Sequence, residues 1–525
     1  VNAARGWLAR LGPGLITGAS DDDPSGIATY SQVGSQFGFG LLWTMALSYP
    51  LMASIQEISA RIGLVTGRGL AANLRTQFPP ALLYAVVFLL LVANVINIGA
   101  DIGAMAAALR MLIGGPITGY IVAFGALSVV LQIFIPYRRY VPYLKWLCVS
   151  LLAYVGVVFV VALPWRRVLL ATIVPSFEAT TASITAIVAI FGTTISPYLF
   201  FWQASEEVEE QKLDATTSPL KQAPRQADAQ LGRMRADTWL GMAISNVVGF
   251  FVILTAAAVF NAHGITTIQT TSQAAEALRP AAGRLAYLLF ALGIVGTGLL
   301  AVPVLAGSAA YAVGEAYRWP VGLEKKPRRA PWFYATIAIS TFAGVLLNVM
   351  HVDPIKALFW SAVVNGVSSA PIMVVIMLLA TRRQVMGRFA LSTRLRVLGW
   401  SATCVMMAIT SALFALPLLA HVSRGGGSVG AAHEQPVGTA YQETGILQRF
   451  EDDSARVPLE ARQLRRLADR ELSPRFLEKF LSESCDAVGD PRNGAHWRSF
   501  SAEPFAIRVP TLWRYGSCER RGITR

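Results

Sequence analysis

From Leu11 to about residue 420 the chain is a series of long apolar blocks separated by short polar connections. The blocks match or approach the ~20 residues that carry a helix across ~30 Å of hydrocarbon. The pattern predicts about eleven spans, at 12–37, 41–60, 81–109, 117–136, 143–163, 182–205, 238–260, 285–303, 333–350, 355–380 and 397–420. Beyond His421 the pattern changes. Gly425-Gly426-Gly427 is a flexible exit, and a stretch from about Leu447 to Leu481 combines helical spacing with mixed charge. The tail is expected to be a poorly ordered or weakly helical appendage.

Two spans are interrupted. The first carries Asp21-Asp22-Asp23-Pro24 followed by Ser25-Gly26, and the sixth carries Gly192-Thr193-Thr194-Ile195-Ser196-Pro197. Proline removes a backbone donor and breaks a helix, and broken membrane helices are tolerated where freed carbonyls line a cavity. Carboxylates at bilayer depth are costly and mark ion or proton handling. The breaks lie five spans apart, and halves of five spans insert with opposite topology. That is the signature of an inverted-repeat transporter with its site between the breaks. The predicted fold is therefore an all-α polytopic membrane protein of five plus five helices with helices 1 and 6 broken. Residues 1–180 form repeat one, 181–382 repeat two, 383–422 an eleventh span and 423–525 a soluble tail.

Composition agrees. Of 525 residues, 54% are hydrophobic and only 14% charged, with mean hydropathy +0.49, whereas soluble domains carry about 25% charged residues. The net charge of +14 raises the possibility of nucleic acid, but the basic residues cluster on one side of the predicted membrane, which argues against it. With the N-terminus in the cytoplasm, 23 lysines and arginines fall inside and 6 outside before the tail, in line with the positive-inside rule. A bacterial cytoplasmic membrane is the expected location. No cleavable leader is expected at Val1–Arg10, so the first span serves as its own insertion signal. The four cysteines show no CxxC or Cys/His spacing, so no structural zinc and no cofactor are implied. His263, His351, His421, His433 and His496 lie outside the spans or at their ends. No P-loop, catalytic triad or HExxH pair occurs in the spans, which sets an enzyme aside.

Gly12-Pro13-Gly14, Asp23-Pro24-Ser25-Gly26, Gln32, Phe37-Gly38 and Leu41-Leu42-Trp43 resemble the first-helix signature of the NRAMP divalent-metal transporters, and Gly192 to Ser205 resembles their sixth-helix signature. The likeness covers the eleven spans and implies the LeuT-type inverted repeat and a divalent metal ion as substrate. By resemblance Asp23 is the family's metal-binding aspartate. Gly26 stands at its asparagine, Ser196 at its methionine and Tyr198 at its histidine, while Ile98-Gly99-Ala100-Asp101 replaces the acidic segment of the proton route. These departures resemble the NRAMP-related magnesium-transporter branch.

The resemblance implies a metal site of Asp23, Gly26 and Ser196 with backbone carbonyls near Ser20 and Thr193. Losing a thioether favours hard cations such as magnesium, calcium and manganese, and magnesium is commonly bound with several waters retained. The expected cargo is magnesium, with manganese, entering partly hydrated through a site widened by Gly26 and Ser196. Asp21 and Asp22 either line the ion route or cap the half-helix that follows. Asp101 and Tyr198 are further pathway candidates, although Tyr198 and Trp202 also suit packing. Asn365 either faces the site or packs against a helix, as do Asn94 and Asn97. Glu57 is expected to pair with Arg61 at i,i+4 spacing. Glu206, Glu207, Glu209 and Glu210 read as a solvated helix end or an exit vestibule. Without a core histidine, proton coupling is expected to be weak or absent. A dication crossing ~100 mV gains about 4.6 kcal/mol from the field. The alternatives are a proton-coupled manganese or iron carrier and a sodium-coupled organic-solute carrier.

Overall fold

The computed structural model describes residues 13–135, 139, 149–214, 216–348 and 353–425. The tail from residue 426, with its expected helical stretch, lies outside these residues. The principal helices are α1 (Pro13–Asp21), α2 (Pro24–Phe37), α3 (Trp43–Thr66), α4 (Leu70–Gln77), α5 (Pro80–Ile113), α6 (Ile117–Phe134), α7 (Leu152–Val160) and α8 (Trp165–Ile173). They continue with α9 (Thr181–Thr194), α10 (Pro197–Leu213), α11 (Ala227–Val259), α12 (Ala286–Ala316), α13 (Pro331–Leu347), α14 (Pro354–Thr381) and α15 (Thr393–Gly425). Among the described residues there is no strand.

Helix stands at each of the eleven predicted span positions. Among the described residues, seven segments are long and apolar enough to cross a membrane by length and composition, and α7 and α13 are shorter apolar helices. The first span, split into α1 and α2, and α3, which carries Gln56, Glu57 and Arg61, fill the remaining positions. This is an integral membrane protein. Several helices outrun the apolar blocks. For example, α11 begins at Ala227 rather than near 238, because backbone hydrogen bonding continues through residues that hydropathy leaves out. The short helices α4 and α8 were not legible as spans for the same reason.

Packing follows the exchange of one half for the other. The first span (α1, α2) lies against the seventh (α11), and the sixth (α10) lies against the second (α3). Swapping halves turns either pair into the other. The third span (α5) packs on the eighth (α12) and the fourth (α6) on the ninth (α13), each pair its own image. Close approach depends on small residues, as is usual between membrane helices. A side chain at Gly14 would meet the backbone of Thr238 at 2.6 Å, and one at Gly18 would strike the backbone of Gly241. Gly63 faces Ala204 across α3 and α10 in the same way. The broken helices are thus pressed into the core with their interruptions buried.

Candidate cation site

The first interruption is two residues long, Asp22 and Asp23, between α1 and α2. Pro24 occupies the first helical position, where its missing N–H is not needed, and it drives Asp23 into extended backbone (φ −68°, ψ 168°). Asp23 is then the N-cap. Its Oδ1 accepts from the Gly26 N–H (2.8 Å) and the Ser25 hydroxyl (2.6 Å). These bonds aim Oδ2 the other way, where Asn97 donates through Nδ2 at 3.4 Å and the Tyr198 hydroxyl stands at 3.5 Å. The positive end of α2 favours a negative charge here. The cap assigned to Asp21 and Asp22 as one option is therefore made by Asp23. Asp21 and Asp22 turn instead toward α11, where the Ser245 hydroxyl lies 2.6 Å from Asp21 Oδ2 and 3.1 Å from Asp22 Oδ1.

The second interruption repeats the design. Pro197 opens α10, and Ser196 at its N-cap is extended (φ −78°, ψ 131°). The carbonyls freed by the breaks are already engaged by hydroxyls. Ser196 donates toward Gly192 O (2.8 Å) and Thr193 O (3.0 Å), Ser369 donates to Ile195 O (2.5 Å), and Tyr198 donates to Ser20 O (3.1 Å). Two of these carbonyls, those of Ser20 and Thr193, are the ones the resemblance implies as ligands. The Tyr198 hydroxyl thus links the two breaks.

The interruptions meet. A Cβ built on Gly26 would stand 3.0 Å from Thr193 Oγ1 and 3.4 Å from the Tyr30 ring. Gly26 therefore leaves no open volume in this conformation. The space expected from a missing side chain is taken by Thr193 and Tyr30, so the widened site is not present as such. Asp21, Asp22, Asp23, Thr193, Ser196, Tyr198, Asp101 and Asn365 are all buried, so the site is occluded.

Around this centre several buried polar atoms have no hydrogen-bond partner: both oxygens of Asp101, both amide atoms of Asn365, Asn97 Oδ1, Thr193 Oγ1 and Asp21 Oδ1. Buried polar groups are ordinarily satisfied. Asn365 makes no helix-packing bond with its amide, so that option does not hold. Asn94 does pack, donating to Leu305 O (2.9 Å) and Ser308 Oγ (2.8 Å). Asn97 and Asp101 share one face of α5 at i,i+4 spacing, a signal that could have singled out Asn97. No local pattern pointed to Ser245 or Ser369. Among the described residues no three His, Cys, Asp or Glu side chains converge to hold a metal, and His263 is exposed. An ion here would rely on carboxylate, hydroxyl, amide and backbone oxygens.

On the Gly14 side of the site a buried polar network corrects two expectations. Glu57 pairs not with Arg61 but with Arg235 (Nε to Oε1, 3.2 Å), and it accepts from Trp239 Nε1 at 2.8 Å. The acidic end of α10 is only partly solvated: Glu207 and Glu209 are buried, while Glu206 and Glu210 are half-buried. Arg233 bridges Glu207 (3.1 Å) and Glu210 (2.8 Å). Glu207 also accepts from Gln203 (3.2 Å), whose other amide atom takes the Thr17 hydroxyl of α1. The Gly14 N–H donates to Asp237 at 2.6 Å. The lower half of the first span is thereby tied to α10 and α11.

The profile of the natural resistance-associated macrophage protein-like (Nramp) family matches residues 14–416. A divalent metal cation transporter MntH of Acidiphilium cryptum (strain JF-5) is 28% identical over 398 residues, covering 73% of this chain and 86% of the relative. One of Klebsiella pneumoniae (strain 342) is 26% identical over 426 residues, covering 78% and 95%. Among solved structures, a manganese transporter of Eremococcus coleocola in complex with an aromatic bis-isothiourea compound superposes with a TM-score of 0.62 at 19% identity, covering 81% of this chain and 89% of that one. Mhp1, a nucleobase-cation-symport-1 family transporter in a closed conformation, gives 0.51 at 16%, covering 79% and 93%. These likenesses agree with the five-plus-five fold.

Proposed function

We propose, for a chain that belongs to the Nramp family, that it is a secondary transporter of divalent cations whose preferred cargo is a hard ion, magnesium first and manganese with it. One observation carries this reading. The two broken helices meet where Gly26 adjoins Thr193 and the Tyr198 hydroxyl stands 3.5 Å from Asp23, and the donors gathered there are oxygens and amides rather than thioether or imidazole. Such donors suit magnesium and manganese over softer metals. Ser20, Gly26, Thr193 and Ser196 line the same centre, Asn365 adds an unpartnered amide, and Asp21 and Asp22 lie beside it on the α11 side. Transport is by alternating access, driven by concentration and membrane potential without obligatory proton movement.

Uptake into proteoliposomes tests it, with wild type and Asp23→Ala assayed across magnesium, manganese, calcium and cadmium. Magnesium and manganese uptake that Asp23→Ala abolishes is the expected result, and equal uptake by the two proteins refutes the site. A second reading is a proton-coupled manganese carrier: manganese is the metal in the name of the Eremococcus coleocola transporter, and the buried Asp101 offers an acid for a proton. Proton influx in step with metal, read by a pH-sensitive dye, would establish that reading over the first.

A further inference from the structure

The third span places a second carboxylate at the centre. Asp101 is 0% exposed and neither of its oxygens has a hydrogen-bond partner. It lies within electrostatic reach of Asp23 and beside the Ser25 N–H at the start of α2. One turn earlier, Asn97 directs Nδ2 at Asp23 Oδ2 (3.4 Å) while its own Oδ1 is unpartnered. Two carboxylates and an unpartnered amide oxygen are therefore brought together among buried side chains. A buried carboxylate with no more than one backbone N–H beside it is expensive, and the N-terminal dipole of α2 offsets only part of that cost. A dication between the two acids neutralises both.

We propose that Asp101 is a cargo ligand, so that the transported dication is held between the carboxylates of Asp23 and Asp101 with Asn97 bridging them. This rests on the reading of Asp23 as the metal site, and it differs from the proton-route role that the resemblance implies for this position. Paired acids match the charge of a divalent ion and leave a monovalent ion undercompensating, which makes Asp101 a determinant of valence selectivity.

Calorimetric titration of the purified full chain with magnesium and with manganese tests the assignment. Asp101→Asn, close in shape but neutral, weakens binding of both ions at least tenfold while its melting temperature stays at or above that of wild type. Asp101→Glu keeps the charge but not the reach, and retains binding with an affinity altered at least threefold. Wild-type affinity in Asp101→Asn, with binding abolished in Asp23→Ala, overturns the proposal and leaves the Asp23 site standing. Wild-type affinity in Asp23→Ala removes both. If only Asp101→Glu folds, an unchanged affinity overturns the proposal.

Discussion

Replacing Arg233 with methionine tests the network that ties α1 to α10 and α11. The Glu207 side chain is 0% exposed and that of Arg233 is 31% exposed. Removing the guanidinium leaves the Glu207 carboxylate buried with the Gln203 amide as its remaining donor among the bonds described above. Stranding one partner of a buried pair costs about 3–5 kcal/mol. Arg233 is partly solvated, and exposed ion pairs contribute less than ~1 kcal/mol, so a loss of about 2–3 kcal/mol is expected. Adding Glu207→Gln removes the stranded charge and should recover most of that loss, since residues in contact couple by ~0.5–3 kcal/mol. Thermal unfolding in detergent, followed by tryptophan fluorescence, reads both effects. The melting temperature of Arg233→Met should fall by about 2–5 °C, and that of the double variant should return toward wild type. A double variant no more stable than Arg233→Met would show that Glu207 does not carry the penalty, and the reasoning would fail.

Further outcomes follow from the site and its packing. Tyr198→Phe removes the hydroxyl that occupies Ser20 O. Leaving that buried carbonyl unmet costs the empty state about 1 kcal/mol, so magnesium should bind about fivefold tighter by calorimetry, and weaker binding would rule out competition between phenol and cargo. Ser196→Met exchanges bonds to Gly192 O and Thr193 O for a thioether, and cadmium should gain on magnesium in competition uptake; an unaltered ratio would place Ser196 outside the coordination sphere. Gly18→Val drives a branched side chain into the Gly241 backbone, an overpacking that costs at least ~3 kcal/mol. It should abolish monodisperse protein on size exclusion, and a normal profile would refute the close approach of α1 and α11.

Legibility differed from residue to residue. Asp23, Pro24, Ser196 and Pro197 could be read in advance because a break is local: proline lacks the donor, and the residue before it leaves helical backbone. The choice among neighbouring polar residues was not local. Asn94 and Asn97 are three positions apart on one helix, yet one packs on α12 and the other reaches Asp23. Glu57 had Arg61 at ideal helical spacing and pairs with Arg235 from another span instead. The run of glutamates after Ser205 could be read as a helix end in water, yet Glu207 is buried against Arg233 of α11, because that helix continues past its apolar block, and Glu209 is buried beside Gly322.

The order of apolar blocks and the position of two prolines were enough to determine the number of spans, where the first and sixth would break, and that an acid would stand at the first break. These depend on hydrocarbon thickness and backbone chemistry, which act over a few neighbouring residues. Only the tertiary structure decided which side chains face one another: Asp21 and Asp22 toward Ser245, Tyr198 across to Ser20, Asp101 beside Asp23, and Glu207 onto Arg233. The physical reason is that facing partners depend on how far each helix is rotated and how deep it sits. In membrane helices buried on many sides those two quantities are set by packing against the other half of the molecule rather than by any local period.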